Sequence, residues 1–373
     1  MRTRRGAPLW LVGPSRFAGL SRSQARLGLA LFAMLLLACL TAVSAPGPRP
    51  GEAGVASAPL GQTELLLYQS VVANVRSGTP YYVAAAEAHR VAHAPLKPYT
   101  TVRLPTLAVV QAAMPPLLVT ALLPLLCIGA MGAWIVRLRP AMTGPIPVGI
   151  AGLLILTGLY VHLEPPLVVF PEVWAGALIA LSLALRRPGE WIPAVALGLS
   201  AMLIRETALI YVVIMAVIAW IEGERREAAA WVGATLVFFV ALAAHAHAVT
   251  LVTGPLDRSA QGLSGLEGFG FYVQLVTLSS GLALLPDWLA AVLIATALFG
   301  WLAWRDPAAV RALATLLGYA AVIALGVRSD DFPWALITTP VLLVGIVFAV
   351  DGLRDMIIAA RDTRRITVTR VIR

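Results

Sequence analysis

Five charged residues are the candidates for chemistry in this sequence: Glu64, Arg103, Glu172, Arg205 and Glu206. Arg205 and Glu206 are adjacent inside an otherwise apolar run, residues 191–221. Ionisable groups at that depth are costly and face either a partner or a cavity. Two readings follow for the pair. It locks a helix bundle as an ion pair, or Arg205 holds a phosphate, whose oxygens suit the planar guanidinium fork. Arg103 and Lys97 lie where a polar segment returns toward an apolar one, and each suits an anionic headgroup. Glu64 opens an amphipathic helical pattern over residues 64–72. There an acid stabilises a helix N-terminus, or serves as a general base toward a hydroxyl. Glu172 follows Glu164-Pro165-Pro166 at the head of another apolar run, where the same choice arises between helix-start acid and site residue.

Other chemistries are missing. His245 and His247 are two residues apart on a helical pattern and cannot share a face. The two cysteines, Cys39 and Cys127, fall in separate apolar runs. Neither set suggests a metal site or a disulfide framework. The sequence shows no Gly-rich loop with lysine, no serine elbow and no His-Glu-x-x-His. With no long soluble domain to hold a nucleotide, a donor substrate would have to reside in the membrane.

The elements that must carry these residues are membrane helices. Of 373 residues, 59% are apolar and 13% charged, with mean hydropathy +0.84. That is too little charge to cover a soluble surface of this size. The expected fold is all-α, a polytopic integral membrane protein of about ten membrane helices. The runs are residues 27–44, 117–136, 146–161, 168–185, the two halves of 191–221, 229–251, 288–304, 309–326 and 334–350. Open strands are excluded, because backbone groups in lipid must be satisfied within the segment.

Arginine placement sets the orientation. With the N-terminus inside, every basic residue falls on a cytoplasmic segment except Arg49, Arg76, Arg90, Lys97, Arg103, Arg205, Arg258 and Arg328. The net charge of +9 is therefore orientation rather than nucleic-acid binding. Arg186-Arg187 and Arg225-Arg226 flank the interrupted run, and both pairs stay inside only if its halves form a hairpin. The expected organisation is a basic cytoplasmic tail (1–26), a membrane domain (27–350) holding one large extracytoplasmic loop (45–104), and a second cytoplasmic tail (351–373). Residues 43–45 also resemble a signal-peptidase site, but the long basic segment before them favours an uncleaved first helix. The expected location is a bacterial inner membrane, with both termini cytoplasmic.

The outer loop begins with a Pro-, Gly- and Ala-rich linker, residues 45–60, before the Glu64 helix. Gly78-Thr79-Pro80 then makes a turn, Tyr81-Tyr82 leads into a helix over residues 83–94, and residues 105–115 form an interfacial helix. A glycine-rich outer stretch, residues 254–270, suits a mobile lid, and Asp330-Asp331 form an acidic turn before the last run.

This arrangement resembles the GT-C superfamily of integral membrane glycosyltransferases, including bacterial mannosyltransferase-like and arabinosyltransferase-like members. The resemblance is carried by an acid after the first membrane helix (Glu64), a tyrosine four residues on (Tyr68), a Gly-x-Pro-Tyr turn ending in Tyr81, a Pro-rich return, and an interrupted helix bearing Arg-Glu. It implies transfer of a sugar from a polyprenyl-phosphate donor to an envelope glycan or lipid acceptor on the extracytoplasmic face. It further implies Glu64 as the base, one methylene longer than the usual Asp. Arg205 and Arg103 would hold the donor phosphate, with Glu206, Glu172, Tyr68 and Tyr81 around the substrate. No cofactor is expected, and metal dependence stays open. Two other classes fit the same residues, a lipid or small-molecule transporter or flippase, and a non-catalytic relative. Against a transporter, the interrupted helix has no counterpart in the other half of the chain.

Overall fold

The structure is a computed structural model, and it describes residues 8–44, 59–260, 266–326 and 332–362. The linker up to residue 58, Arg49, Arg328 and Asp330-Asp331 lie outside the described residues. Those described are helical, joined by turns and three isolated bridges, with no strand among them.

From the N-terminus the helices are α1 (Arg22–Leu40), α2 (Pro59–Arg76), α3 (Tyr81–Val91), α4 (Pro105–Ala113), α5 (Pro116–Leu138), α6 (Pro145–Leu159) and α7 (Pro171–Leu185). Next come α8 (Ile192–Ile204), α9 (Leu209–Ile221), α10 (Arg225–Val252), α11 (Gly268–Leu278), α12 (Asp287–Ala303), α13 (Pro307–Gly326), α14 (Thr339–Leu342) and α15 (Gly345–Arg361). Helices α2, α4, α5, α6, α7 and α13 each open on proline. Proline has no N–H to leave unsatisfied in the first turn, an advantage that grows in lipid.

Four stretches, Arg22–Val43, Pro116–Ala141, Arg225–Val252 and Pro307–Leu325, are long and apolar enough to cross a membrane. Leu37, Leu117, Val240 and Leu251 are largely exposed on their surfaces. Both features are those of a helical membrane protein. The expected runs up to residue 326 each coincide with a helix to within five residues at either end.

The last run differs. In place of one helix over 334–350, the chain makes a 3₁₀ turn Phe332–Ile337, the short α14, and then α15. Pro333 and Pro340 interrupt the helical ladder, which hydropathy does not register. Helix α15 then continues past residue 350 to Arg361, so the segment expected as a cytoplasmic tail from 351 is packed helix at least that far. Its Asp351 is fully buried and accepts the backbone N–H groups of Leu9, Trp10 and Leu11 at 2.7–2.8 Å. Asp355 takes the Ser15 N–H and hydroxyl. The basic N-terminal segment is thereby tied down from Leu9 onward. The glycine-rich stretch 254–270 also holds the start of an unforeseen element, α11, which packs against α13 and α12 and is buried along most of its length.

Glycine makes the closest crossing. A Cβ on Gly300 or Gly345 would collide with the facing backbone of α15 or α12, which form the most extensive helix pair in the structure.

Candidate functional site

Polar groups gather at two ends of the bundle, and α7 links them. At one end Arg186, just after α7, bonds Glu227 at 2.6 Å and approaches Glu222 at 3.6 Å, while Arg311 bonds Glu222 at 2.6 Å. Arg137 donates to the Leu183 and Ala184 carbonyls that end α7 and pairs with Asp306 at 2.9 Å. Glu222 follows α9 and Arg186 precedes α8, so their contact brings both ends of the interrupted run together. The run is therefore a hairpin. Each arm has 13 residues and reaches about 20 Å, short of a full crossing.

The other end holds the candidate site. The hairpin tip breaks at Arg205, whose backbone is extended (φ −141°, ψ 113°), and Glu206–Ala208 form a 3₁₀ turn. Tyr319 on α13 donates to the Thr207 carbonyl at 2.9 Å and fastens this tip. Glu172 lies in the first turn of α7, about 21 Å along the axis from Arg186 at 1.5 Å per residue. It is fully buried, and Arg205 is 1% exposed.

Arg205 Nε stands 2.7 Å from Glu172 Oε1, and its Nη1 contacts Glu206 Oε1. The first contact is an ion pair without hydrogen-bond alignment, since Arg205 Nε and both Glu172 oxygens lack a hydrogen-bond partner. Arg103 reaches the same two oxygens from the opposite segment, Glu172 at 3.5 Å and Glu206 at 3.6 Å. Trp334, beyond the last membrane-long helix, places its ring 5.7 Å from the Arg205 guanidinium.

The segment from α2 to α4 holds Arg103 in place. Tyr68 on α2 accepts from Arg103 Nε at 2.8 Å, and Tyr81, the first residue of α3, donates to the Arg103 carbonyl at 2.6 Å. Tyr68 also packs edge-on against Phe170, just before α7, at 5.3 Å. Burial pushes both phenols above their ordinary pKa, so Tyr68 and Tyr81 are neutral. Burial opposes the Arg103 charge, but Tyr68, Glu172, Glu206 and Glu64 outweigh it and hold the guanidinium well above its ordinary value.

Glu64 lies one turn before Tyr68 on the same face of α2 and is half-buried. Its charge acts on both Arg103 and Tyr68. It is not the helix-start residue expected from the sequence. Helix α2 begins at Pro59, so Glu64 stands in its second turn, where the dipole of the N-terminus offers less.

All seven sequence-derived residues thus gather at one place. Lys97 does not join them, because its ammonium donates to the Pro255 carbonyl at 3.3 Å. A cavity of about 20 Å³, room for a single water, lies beside Arg103, Tyr68, Tyr81, His89 and Gln111. Among the described residues no cluster of His, Cys, Asp or Glu has an arrangement that could hold a metal ion.

Trp334 and Phe170 had no signal in the sequence; Tyr82 and His245 stood out there singly, and their pairing did not. His245 is buried on α10, close to the Tyr82 hydroxyl (3.3 Å) and the Val102 carbonyl (3.1 Å). Twenty residues, about 30 Å, separate it from Arg225 at the other end of α10. The last turns of α10 therefore reach the candidate-site end of the bundle and pack against α3. Arg90 on α3 completes this attachment with a 2.8 Å ion pair to Asp257.

No protein-family model, no curated protein and no solved structure matches this chain.

Proposed function

We propose that the chain is a polytopic membrane glycosyltransferase of the GT-C kind, with about ten membrane-embedded helices in a bacterial inner membrane and both termini in the cytoplasm. It moves a sugar from a polyprenyl-phosphate donor to an envelope glycan or lipid acceptor on the extracytoplasmic face. One observation carries the reading. Two arginines, Arg103 and Arg205, converge on Glu206 at the end of the bundle opposite the Arg186–Glu222–Arg311 network, and the charge of Glu64 acts on Arg103. That network, with Arg137, Arg305 and the N-terminal segment, occupies the arginine-rich end, which the positive-inside rule assigns to the cytoplasm.

In this reading Glu64 takes the proton from the acceptor hydroxyl as that oxygen attacks the anomeric carbon. The bond to the donor phosphate breaks, and the configuration inverts. Arg103 and Arg205 bind the phosphate and stabilise the charge it gains as the leaving group. Tyr68 fixes the rotamer of Arg103, and Tyr81 fixes its backbone. The ring of Trp334 packs against the Arg205 guanidinium.

The test uses the full chain in nanodiscs with radiolabelled polyprenyl-phosphate hexose or pentose and an envelope lipid extract as acceptor. Transfer by wild type that falls about 10²–10⁴-fold in Glu64→Gln establishes both the activity and its base. Transfer that Glu64→Gln leaves intact keeps the activity and moves the base elsewhere. One observation favours a non-catalytic relative instead: Glu172 and Glu206 already neutralise both arginines, as a bundle lock requires. A folded protein that binds polyprenyl phosphate and transfers no sugar decides for that alternative. Flux of lipid across the bilayer without product decides for a transporter.

A further inference from the structure

We infer that the phosphate subsite is the position now held by the Glu206 carboxylate, which acts as a resident competitor that an incoming phosphate must displace. The inference rests on the phosphate-binding reading above and specifies where and how it occurs.

The geometry at Glu206 is that of an occupied anion site. Nη1 of Arg205 and Nη1 of Arg103, from segments about a hundred positions apart, converge on one oxygen, Glu206 Oε1. A phosphate oxygen placed there would meet the same two donors. The Arg103 contact at 3.6 Å is too long for a hydrogen bond, so that donor is held near an anion without being satisfied by it.

The two glutamates differ in how easily they can leave. Glu172 is fully buried in the first turn of α7. Moving it would strand a charge away from water. Glu206 keeps 21% of its side chain exposed and sits on the short 3₁₀ turn of the hairpin tip. It can rotate into solvent without moving a helix.

Charge makes one departure necessary. Arg103 and Arg205 face Glu172 and Glu206, with Glu64 acting on Arg103 as a third anion. A phosphate added to that set would raise the negative charge in a largely buried site. Exchanging the Glu206 carboxylate for the phosphate instead keeps both arginines paired. Glu172 remains to orient them.

The ligand class is a phosphate ester, and its source is either a lipid headgroup or free phosphate. Full-length protein in nanodiscs is titrated with a fifteen-carbon isoprenyl phosphate, with the matching isoprenol, and with inorganic phosphate. Glu206→Gln should bind isoprenyl phosphate at least about tenfold more tightly than wild type, because the neutral amide no longer competes. Glu206→Asp retains the charge and should stay near the wild-type value. The isoprenol should bind both forms equally. Equal tightening toward inorganic phosphate would assign the subsite to phosphate alone, and tightening only toward the ester would assign it to the lipid headgroup. Wild type offers a readout that needs no variant: saturating isoprenyl phosphate should raise deuterium uptake at residues 206–208 as the carboxylate departs. Protection there, or unchanged or weaker binding by a folded Glu206→Gln, overturns the displacement while leaving phosphate binding in place. Absence of binding to either phosphate by both forms removes the donor-phosphate reading together with the subsite.

Discussion

Replacing Arg205 by methionine tests whether the buried cluster is the coupled network its distances describe. The substitution keeps a long apolar side chain against Trp334 but removes the cation 2.7 Å from Glu172. Glu172 is fully buried and has no hydrogen-bond partner on either oxygen, so only Arg103, at 3.5 Å, remains to balance its charge. Stranding one member of a buried pair costs about 3–5 kcal/mol. An unfolding entropy of about 2.1 cal/mol/K per residue, over 373 residues, amounts to about 0.8 kcal/mol/K. The melting temperature should therefore fall by about 4–6 °C. Helices that persist in detergent reduce that entropy, so about 4 °C is a lower bound. Adding Glu172→Gln removes the stranded charge and should recover most of the loss, with a coupling of about 2 kcal/mol or more in the double-mutant cycle. Thermal unfolding of the four proteins in one detergent, followed by tryptophan fluorescence, measures it. Arg205→Met melting with wild type, or a double variant whose loss is the plain sum of the two singles, would refute the coupled network.

Other regions yield narrower expectations. Tyr68→Phe removes the acceptor of Arg103 Nε, a charge-assisted bond of about 1.5–3 kcal/mol. It should weaken isoprenyl-phosphate binding about tenfold or more while leaving the melting temperature within a few degrees. Gly345→Ala places a methyl group into the α12 backbone at Ala297, so it should lower the yield of monodisperse protein on size exclusion far more than Gly149→Ala, which meets open space. Asp351→Asn removes the charge that three N–H groups share, and limited proteolysis should then cut near residues 9–15 sooner. For pH, Arg90 holds the Asp257 carboxyl well below the usual carboxylate range. A depressed folded pKa contributes stability above the unfolded value near 3.9, lost as pH falls through the folded one. The α3 attachment should thus persist at about pH 3, where an unpaired aspartate is mostly protonated, whereas Arg90→Ala should raise deuterium uptake at Leu96 and Ala260 already at neutral pH.

What could be read from the sequence follows from which costs are local. The hairpin was legible because a charged pair inside an apolar run and two flanking arginine pairs are constraints written within forty residues. Burying a lone charge is expensive enough that Arg205 had to have partners. Its partners were another matter. Glu172 and Arg103 reach it through the packing of α7 and the segment from α2 to α4, and Trp334 arrives from the far end of the chain. The resemblance alone grouped Arg103 and Glu172 with Arg205, and nothing pointed to Trp334. The start of α2 was misread because Gly61 and Thr63 are poor helix formers after a Pro-rich linker. Packing of α2 against α3 and α4 stabilises what propensity does not.

Helix α11 shows the same limit from the opposite side. Eleven residues cannot cross a bilayer and follow a glycine-rich stretch, so hydropathy assigns them to a loop. They are helical because neighbouring helices enclose them, the condition under which a short apolar element is tolerated at membrane depth. The candidate site obeys that condition too. Its irregular backbone, the extended Arg205 and the 3₁₀ turn after it, is held by α7, by α13 and by Arg103. A broken helix in that setting is free to place charge where a straight one could not. The more exposed of the two acids that contact Arg205 falls on the break itself. That is why Glu206, rather than the rigidly held Glu172, is the anion positioned to yield.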